Sequence, residues 1–137
     1  MRFLLGSDDS DPLVGTVRDL LERRDHEVVE LPIGRWPEVA RRLGEGVAGG
    51  EADQGVLFCG TGTSMAANKV PGVRAALAWD PWIAQGAREW NDANVLVMSL
   101  KRTDAAQAEA ILDAWLAVAE PDPEERRNID ALRSMDS

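Results

Sequence analysis

The sequence predicts an α/β protein in which a parallel sheet of five strands is covered by helices on both faces. Three observations predict it. Short aliphatic runs alternate with longer segments of helical periodicity. The runs are apolar on consecutive residues, as in strands buried on both sides. One of them, Val56-Leu57-Phe58, empties into Cys59-Gly60-Thr61-Gly62, a glycine loop that feeds a helix. Strands alternating with helices imply right-handed crossovers.

Arg2 to Ser7 reads as the first strand, with Phe3, Leu4 and Leu5 buried. Asp8-Asp9-Ser10-Asp11-Pro12 then starts a helix, since carboxylates and a serine before a proline satisfy its first N–H groups. Leu13, Val14, Val17, Leu20 and Leu21 carry that helix to about Arg24. Asp8 and Asp9 therefore stand at the carboxyl end of a strand, where ligands bind in open α/β sheets, or else serve only as caps. His26 to Leu31 gives the second strand, with Val28, Val29 and Leu31 inward and His26 facing solvent. A loop carrying Arg35 and Trp36 leads to a helix from about Glu38 to Val47, ended by Gly49-Gly50.

After the third strand and the cysteine loop, Ser64 to Lys69 reads as a short helix and Val73 to Leu77 as strand four. Asp80-Pro81 opens a helix to about Arg88, Trp90-Asn91-Asp92-Ala93 reads as a polar loop, and Asn94 to Met98 is strand five. Thr103 or Asp104 caps a long helix with Ala106, Ala110, Ile111, Ala114, Trp115 and Val118 as its buried stripe, and Pro121 and Pro123 end it. Glu124 to Met135 is a charged helix whose narrow Ile129 and Leu132 stripe suits packing on a neighbour. The organisation expected is one domain over residues 1–120 and a helical tail over 121–137 packed on a partner subunit.

The chain has 137 residues, 45% of them hydrophobic, which fits a single core. Its net charge of −9 argues against nucleic acid or an anionic membrane as partner. Phe3-Leu4-Leu5 is too short for a signal peptide and no segment is long enough to span a bilayer, so a cytoplasmic protein is expected. The lone cysteine leaves no internal disulfide, and the single His26 leaves no multi-histidine metal site within one chain.

The chemistry gathers at the cysteine loop. A helix beginning just after it points free N–H groups at the loop, which favours an anion and lowers the pKa of a neighbouring thiol. Cys59 is thus placed to act as nucleophile or base, unless it is simply a small apolar side chain in the core.

Three separated stretches carry a resemblance: Gly50 to Gly62, Ala66-Ala67-Asn68-Lys69-Val70-Pro71-Gly72-Val73-Arg74-Ala75-Ala76, and Asn91-Asp92-Ala93-Asn94-Val95-Leu96. In this order and spacing they resemble the family of ribose-5-phosphate isomerase B and galactose-6-phosphate isomerase. The resemblance implies a Rossmann-like three-layer α/β/α sandwich and a homodimer whose sites combine residues of both subunits. It implies a sugar phosphate or related polyol derivative as substrate, with aldose and ketose interconverted through a cis-enediolate without metal or cofactor. Cys59 matches the base that moves the proton, and Thr61 stands beside it to hydrogen-bond the thiolate. Gly60, Gly62, Thr63 and Ser64 form the loop that, with Asn91, donates to the enediolate oxygens, and Asp8 matches an aspartate beside the sugar hydroxyls. Such fixed donors stabilise an oxyanion as it develops.

The chain departs from the family at the substrate. Asp9 stands where the family has a histidine, and Trp90 replaces the histidine that opens the furanose ring. The cysteine loop is two residues shorter around Thr63-Ser64-Met65. The phosphate-binding arginines, one helical turn apart in the family, are here the adjacent Arg126 and Arg127, with Pro123 in the upstream place. Loss of the ring-opening group favours an open-chain substrate such as a tetrose phosphate over ribose 5-phosphate, with Trp90 as an apolar wall. The alternative is a non-catalytic sugar-phosphate-binding or partner subunit, because the galactose-6-phosphate branch pairs unlike chains.

Overall fold

The computed structural model describes residues 1–136; Ser137, the last residue of the expected tail, lies outside the described residues. The strands are β1 (Arg2–Gly6), β2 (Glu27–Glu30), β3 (Gln54–Phe58), β4 (Ala75–Leu77) and β5 (Val95–Met98). Between and after them run α1 (Pro12–Arg23), α2 (Trp36–Ala48), α3 (Thr61–Asn68), α4 (Pro81–Asn91), α5 (Ala105–Leu116) and α6 (Arg126–Arg133). All strand pairs are parallel, in the order β2-β1-β3-β5-β4. The expected three-layer sandwich is therefore the fold.

Strand alternation divides the core between the two faces. Phe3, Leu5, Val56, Phe58, Leu96 and Met98 pack against α1, α4 and α5, while Leu4, Leu57, Val95 and Val97 pack against α2 and α3. Gly55 is needed where α2 crosses β3: a Cβ there would lie 2.5 Å from Leu43. Trp115 is 1% exposed and donates its Nε1–H to Gln54 Oε1 at 2.8 Å, so its one polar atom is satisfied in the core. Asp11 caps α1, Asp80 caps α4, and Asp104 with Gln107 forms a capping box on α5.

Several expectations shift. Val29 is exposed, because β2 is an edge strand that the α2 layer does not cover. The buried stripe of α5 is Ala108, Ile111, Leu112 and Trp115; Ala106 and Ala110 face solvent. Arg74 precedes β4 rather than lying in it. Trp90 and Asn91 form the last turn of α4, and the helix stops at Asp92 in the left-handed region at φ 50°. His26 is half-buried, its ring edge-on to Phe3 at 5.3 Å. Ile129 is 5% exposed within its own chain, and Leu132 is open.

Candidate active site

The β1 loop enters α1 on one face of the sheet and the β3 loop enters α3 on the other, which opens a crevice between the carboxyl ends of β1 and β3. Cys59 leaves β3 on the lip of that crevice, exposed, with φ 110°. A positive φ is rare for a residue with a Cβ and stores strain, and here it turns the thiol out of the sheet. Gly60 follows at φ 113°, ψ −118°, a conformation essentially reserved for glycine. The apolar-core alternative for Cys59 is thereby removed.

Around the thiol lies a cavity of about 590 Å³ lined by Cys59, Gly60, Thr61, Leu77, Trp79, Ser99, Arg102 and Gln107, among others. Ser64 N–H is the donor that returns to the Gly60 carbonyl, at 3.1 Å. The N–H groups of Gly60, Thr61, Gly62 and Thr63 precede it and have no acceptor one turn back. Gly62 lets the Trp36 ring pack closely on the loop: a Cβ at this position would lie 3.1 Å from it, so the ring would have to give slightly.

The hydroxyls of Thr63 and Ser64 serve the loop instead of facing the cavity. Thr63 is buried and donates to Gly60 O at 3.1 Å, and Ser64 donates to Thr61 O at 2.8 Å. Asp9 is likewise occupied. Its backbone carbonyl accepts from Ser7 Oγ at 2.7 Å and its carboxylate from Ser10 N–H at 2.8 Å, while Asp11 does the capping.

The expected depression of the thiol pKa is corrected. Cys59 is pushed up from 9.0 to about 11, first by desolvation, then by its hydrogen bond to Asp8, then by the charges of Asp8 and Asp9; Lys101 opposes them. Two carboxylates face the sulfur, and the partial charge of a helix terminus is smaller than a full charge. The thiol is neutral at physiological pH, and its thiolate is correspondingly a strong base.

The other anticipated residues stand elsewhere. Trp90 and Asn91 close α4 just before β5, at the amino end of the sheet, where Asn94 O accepts from Gly55 N–H at the start of β3. Roughly 15 Å of strand separates that end from Cys59. Beside Asn91, Asp92 takes Arg74, Arg88 and Arg133 as ion-pair partners. Arg126 and Arg133 line a cavity of about 390 Å³ with Asp92 and Asp122, also at this end, and Arg127 is exposed outside it. One chain thus brings together Asp8, Cys59 and Thr61, and does not bring Trp90, Asn91, Arg126 or Arg127 to them.

Sequence reading missed Ser99, Lys101 and Arg102, which follow β5. The signal was available, since they too occupy the carboxyl end of a central strand. Among the described residues, no cluster of three or more His, Cys, Asp or Glu is placed to hold a metal ion, and no helix is long and apolar enough to cross a membrane.

A family described as Ribose/Galactose Isomerase matches residues 4–132. The chain is 37% identical over 103 residues to ribose-5-phosphate isomerase B of Escherichia coli, covering 74% of this chain and 69% of that one. It is 35% identical over 125 residues to D-erythrulose-4-phosphate isomerase of Pectobacterium atrosepticum, covering 85% and 82%. Among solved structures, ribose-5-phosphate isomerase B of Clostridium thermocellum superposes with a TM-score of 0.92 at 32% identity, over 98% of this chain and 97% of that one.

Proposed function

The chain belongs to the ribose/galactose isomerase family and is a sugar-phosphate isomerase, and from that premise we propose that it interconverts a short, open-chain aldose phosphate and ketose phosphate with Cys59 as the base. The observation that carries this reading is the exposed, strained thiol on a wide cavity, with the Asp8 carboxylate acting on it and N–H groups without helical acceptors beside it. As thiolate, Cys59 takes the proton from the carbon next to the carbonyl; the enediolate forms, and the thiol returns that proton to the neighbouring carbon. Lys101, Arg102 and the first N–H groups of α3 are the positive groups that favour the thiolate and the enediolate oxygens.

Trp90 supports a four-carbon substrate. A tetrose esterified at its terminal hydroxyl has no hydroxyl left to close a five-membered ring, so no ring-opening acid is needed, and an indole is adequate where a histidine would otherwise be required. The Pectobacterium relative bears the name of an isomerase of such a sugar.

The separation of Asn91 from Cys59 supports a homodimer in which each subunit supplies Asn91, Trp90 and the α6 arginines to the other's thiol. The tail over residues 121–137 then works at the partner's site. Mixing tests this directly. Cys59→Ser and Asn91→Ala are each expected to be inactive alone, both in turnover and in exchange of the substrate C–H with deuterated solvent. Random reassortment gives mixed dimers with one intact site each, so about a quarter of wild-type activity returns. Full activity in Cys59→Ser removes the proposed base; no recovery on mixing removes the shared site.

A second reading, a partner subunit active only beside an unlike chain, is favoured by a thiol whose pKa is pushed up to about 11 and which therefore stays protonated at physiological pH. Robust turnover by the purified chain removes it.

A further inference from the structure

We propose that Gly86 and Trp82 are positioning residues that set sugar size through Trp90, by holding its indole as a flat plate that leaves room for a four-carbon phosphate and not a five-carbon one. The inference rests on the reading that the last turn of α4 completes a second subunit's site.

Gly86 lies inside α4, and glycine is the poorest helix former after proline. Its backbone is not in the positive-φ region, so conformation does not require it. What requires it is Trp90. A Cβ at this position would sit 2.6 Å from Cζ3 and 2.7 Å from Cε3 of that indole, far inside contact distance. Gly86 is buried because the indole lies over it. Side chains on a helix lean toward its amino terminus, so the indole of Trp90 runs back along α4 over the preceding turn. There it meets Trp82, whose ring stands edge-on at 5.5 Å between centroids and 66° between planes. Floor and edge fix the plate, although Trp90 is 38% exposed and Trp82 is 67% exposed. A plate so held excludes by shape, and its one N–H has no proton-accepting counterpart.

Gly86→Ala forces the indole off the helix while improving helix propensity, so the fold is retained. Trp82→Ala removes the edge without touching the core. Measured on D-erythrulose 4-phosphate and ribose 5-phosphate, the ratio of kcat/KM for the four-carbon over the five-carbon substrate is expected to fall about tenfold in each variant, the usual worth of one methylene of pocket shape. The melting temperature of Gly86→Ala is expected not to fall, which separates positioning from stability. An unchanged ratio in Gly86→Ala overturns the inference. If the wild-type chain turns over neither sugar, the catalytic reading fails separately, and the same ratio is read from calorimetric dissociation constants. A four-carbon preference lost in both variants then upholds the inference; no preference in the wild type overturns it.

Discussion

The two ends of the sheet are built on opposite principles. At the carboxyl end, Cys59 and Gly60 sit at positive φ, the first N–H groups of α3 lack acceptors, and a cavity of about 590 Å³ stands open beside them. At the amino end, Asp92 is ringed by three arginines and the neighbouring loops are tied backbone to side chain. Arg74 Nε donates to Asp92 O at 2.7 Å, Arg88 Nη1 to Ala93 O at 2.7 Å, and Asn94 Nδ2 to Gly72 O at 3.0 Å. Arg133 joins α6 to the same carboxylate. Unspent backbone donors are what a substrate meets at the carboxyl end; at the amino end a charge-paired network holds the last turn of α4, with Arg88 Nε its one buried polar side-chain atom without a partner among the described residues. The difference fits the two-fold dimer proposed above, in which a receiving end of one chain would meet a presenting end of the other.

The sharpest way to break this comparison is at Asp92. Its side chain is 17% exposed, and those of Arg74 and Arg88 are 15% and 8% exposed. Burial already draws the Arg74 pKa down, with Asp92 the first group to oppose it. Asp92→Asn keeps the shape and removes the charge that balances these guanidinium groups, so a loss of about 3 kcal/mol is expected in urea unfolding. Were the amino end mere surface, the loss would stay below about 0.5 kcal/mol. Asn91 and Trp90 ride on this clamp, so activity is expected to fall in the same variant under conditions where it remains folded.

The receiving end is tested through its carboxylate. Asp8→Asn removes the charge and the ionised acceptor that hold the Cys59 proton, so the thiol pKa is expected to drop from about 11 toward 9.0. Iodoacetamide reacts with the thiolate, so the variant is alkylated faster than the wild type at pH 9, and its rate profile levels off at lower pH. Desolvation, the largest cause, remains in the variant, so the midpoint stays above the ordinary value. An identical pH profile in the two proteins would mean that Asp8 does not hold the thiol.

How much of this was legible in the sequence divides along the same line. Val56-Leu57-Phe58 before two glycines fixes a buried strand and a ligand loop, and Asp8 follows from its place after β1; both are local in the chain. The thiol pKa was misjudged because its largest cause, desolvation, and the approach of Asp8 across the paired β1 and β3 both arise only in the folded chain and leave no mark beside the cysteine. The arginine clamp was invisible for the same reason: Arg74, Arg88 and Arg133 are far apart in sequence and meet only at the αL residue ending α4. The reading of Trp90-Asn91 as loop failed on helix length, since polar composition resembled a turn while Gly86 and Trp90 packed as helix. The α5 stripe slipped because alanines at positions 106, 108, 110 and 114 leave the helical phase ambiguous.

The smallest effect separates strain from chemistry at the thiol itself. Cys59 holds φ 110° against the steric preference of any residue with a Cβ, and glycine has none. Cys59→Gly is expected to stabilise the chain by about 1 kcal/mol in chemical denaturation, the lower range for a residue held in a sparsely populated region, reduced by the greater freedom of glycine in the unfolded chain. Cys59→Ala keeps the Cβ and the strain, so it should show no such gain; the difference between the two variants isolates the backbone term from loss of the sulfur. Both lack the proton carrier and are expected to be inactive. A more stable, inactive Gly variant beside an unimproved Ala variant would mark the strain as a device that aims the thiol. Equal stabilities would mean that the turn after β3 imposes no strain, and that the orientation of the sulfur follows from the packing of Asp8 and α3 alone.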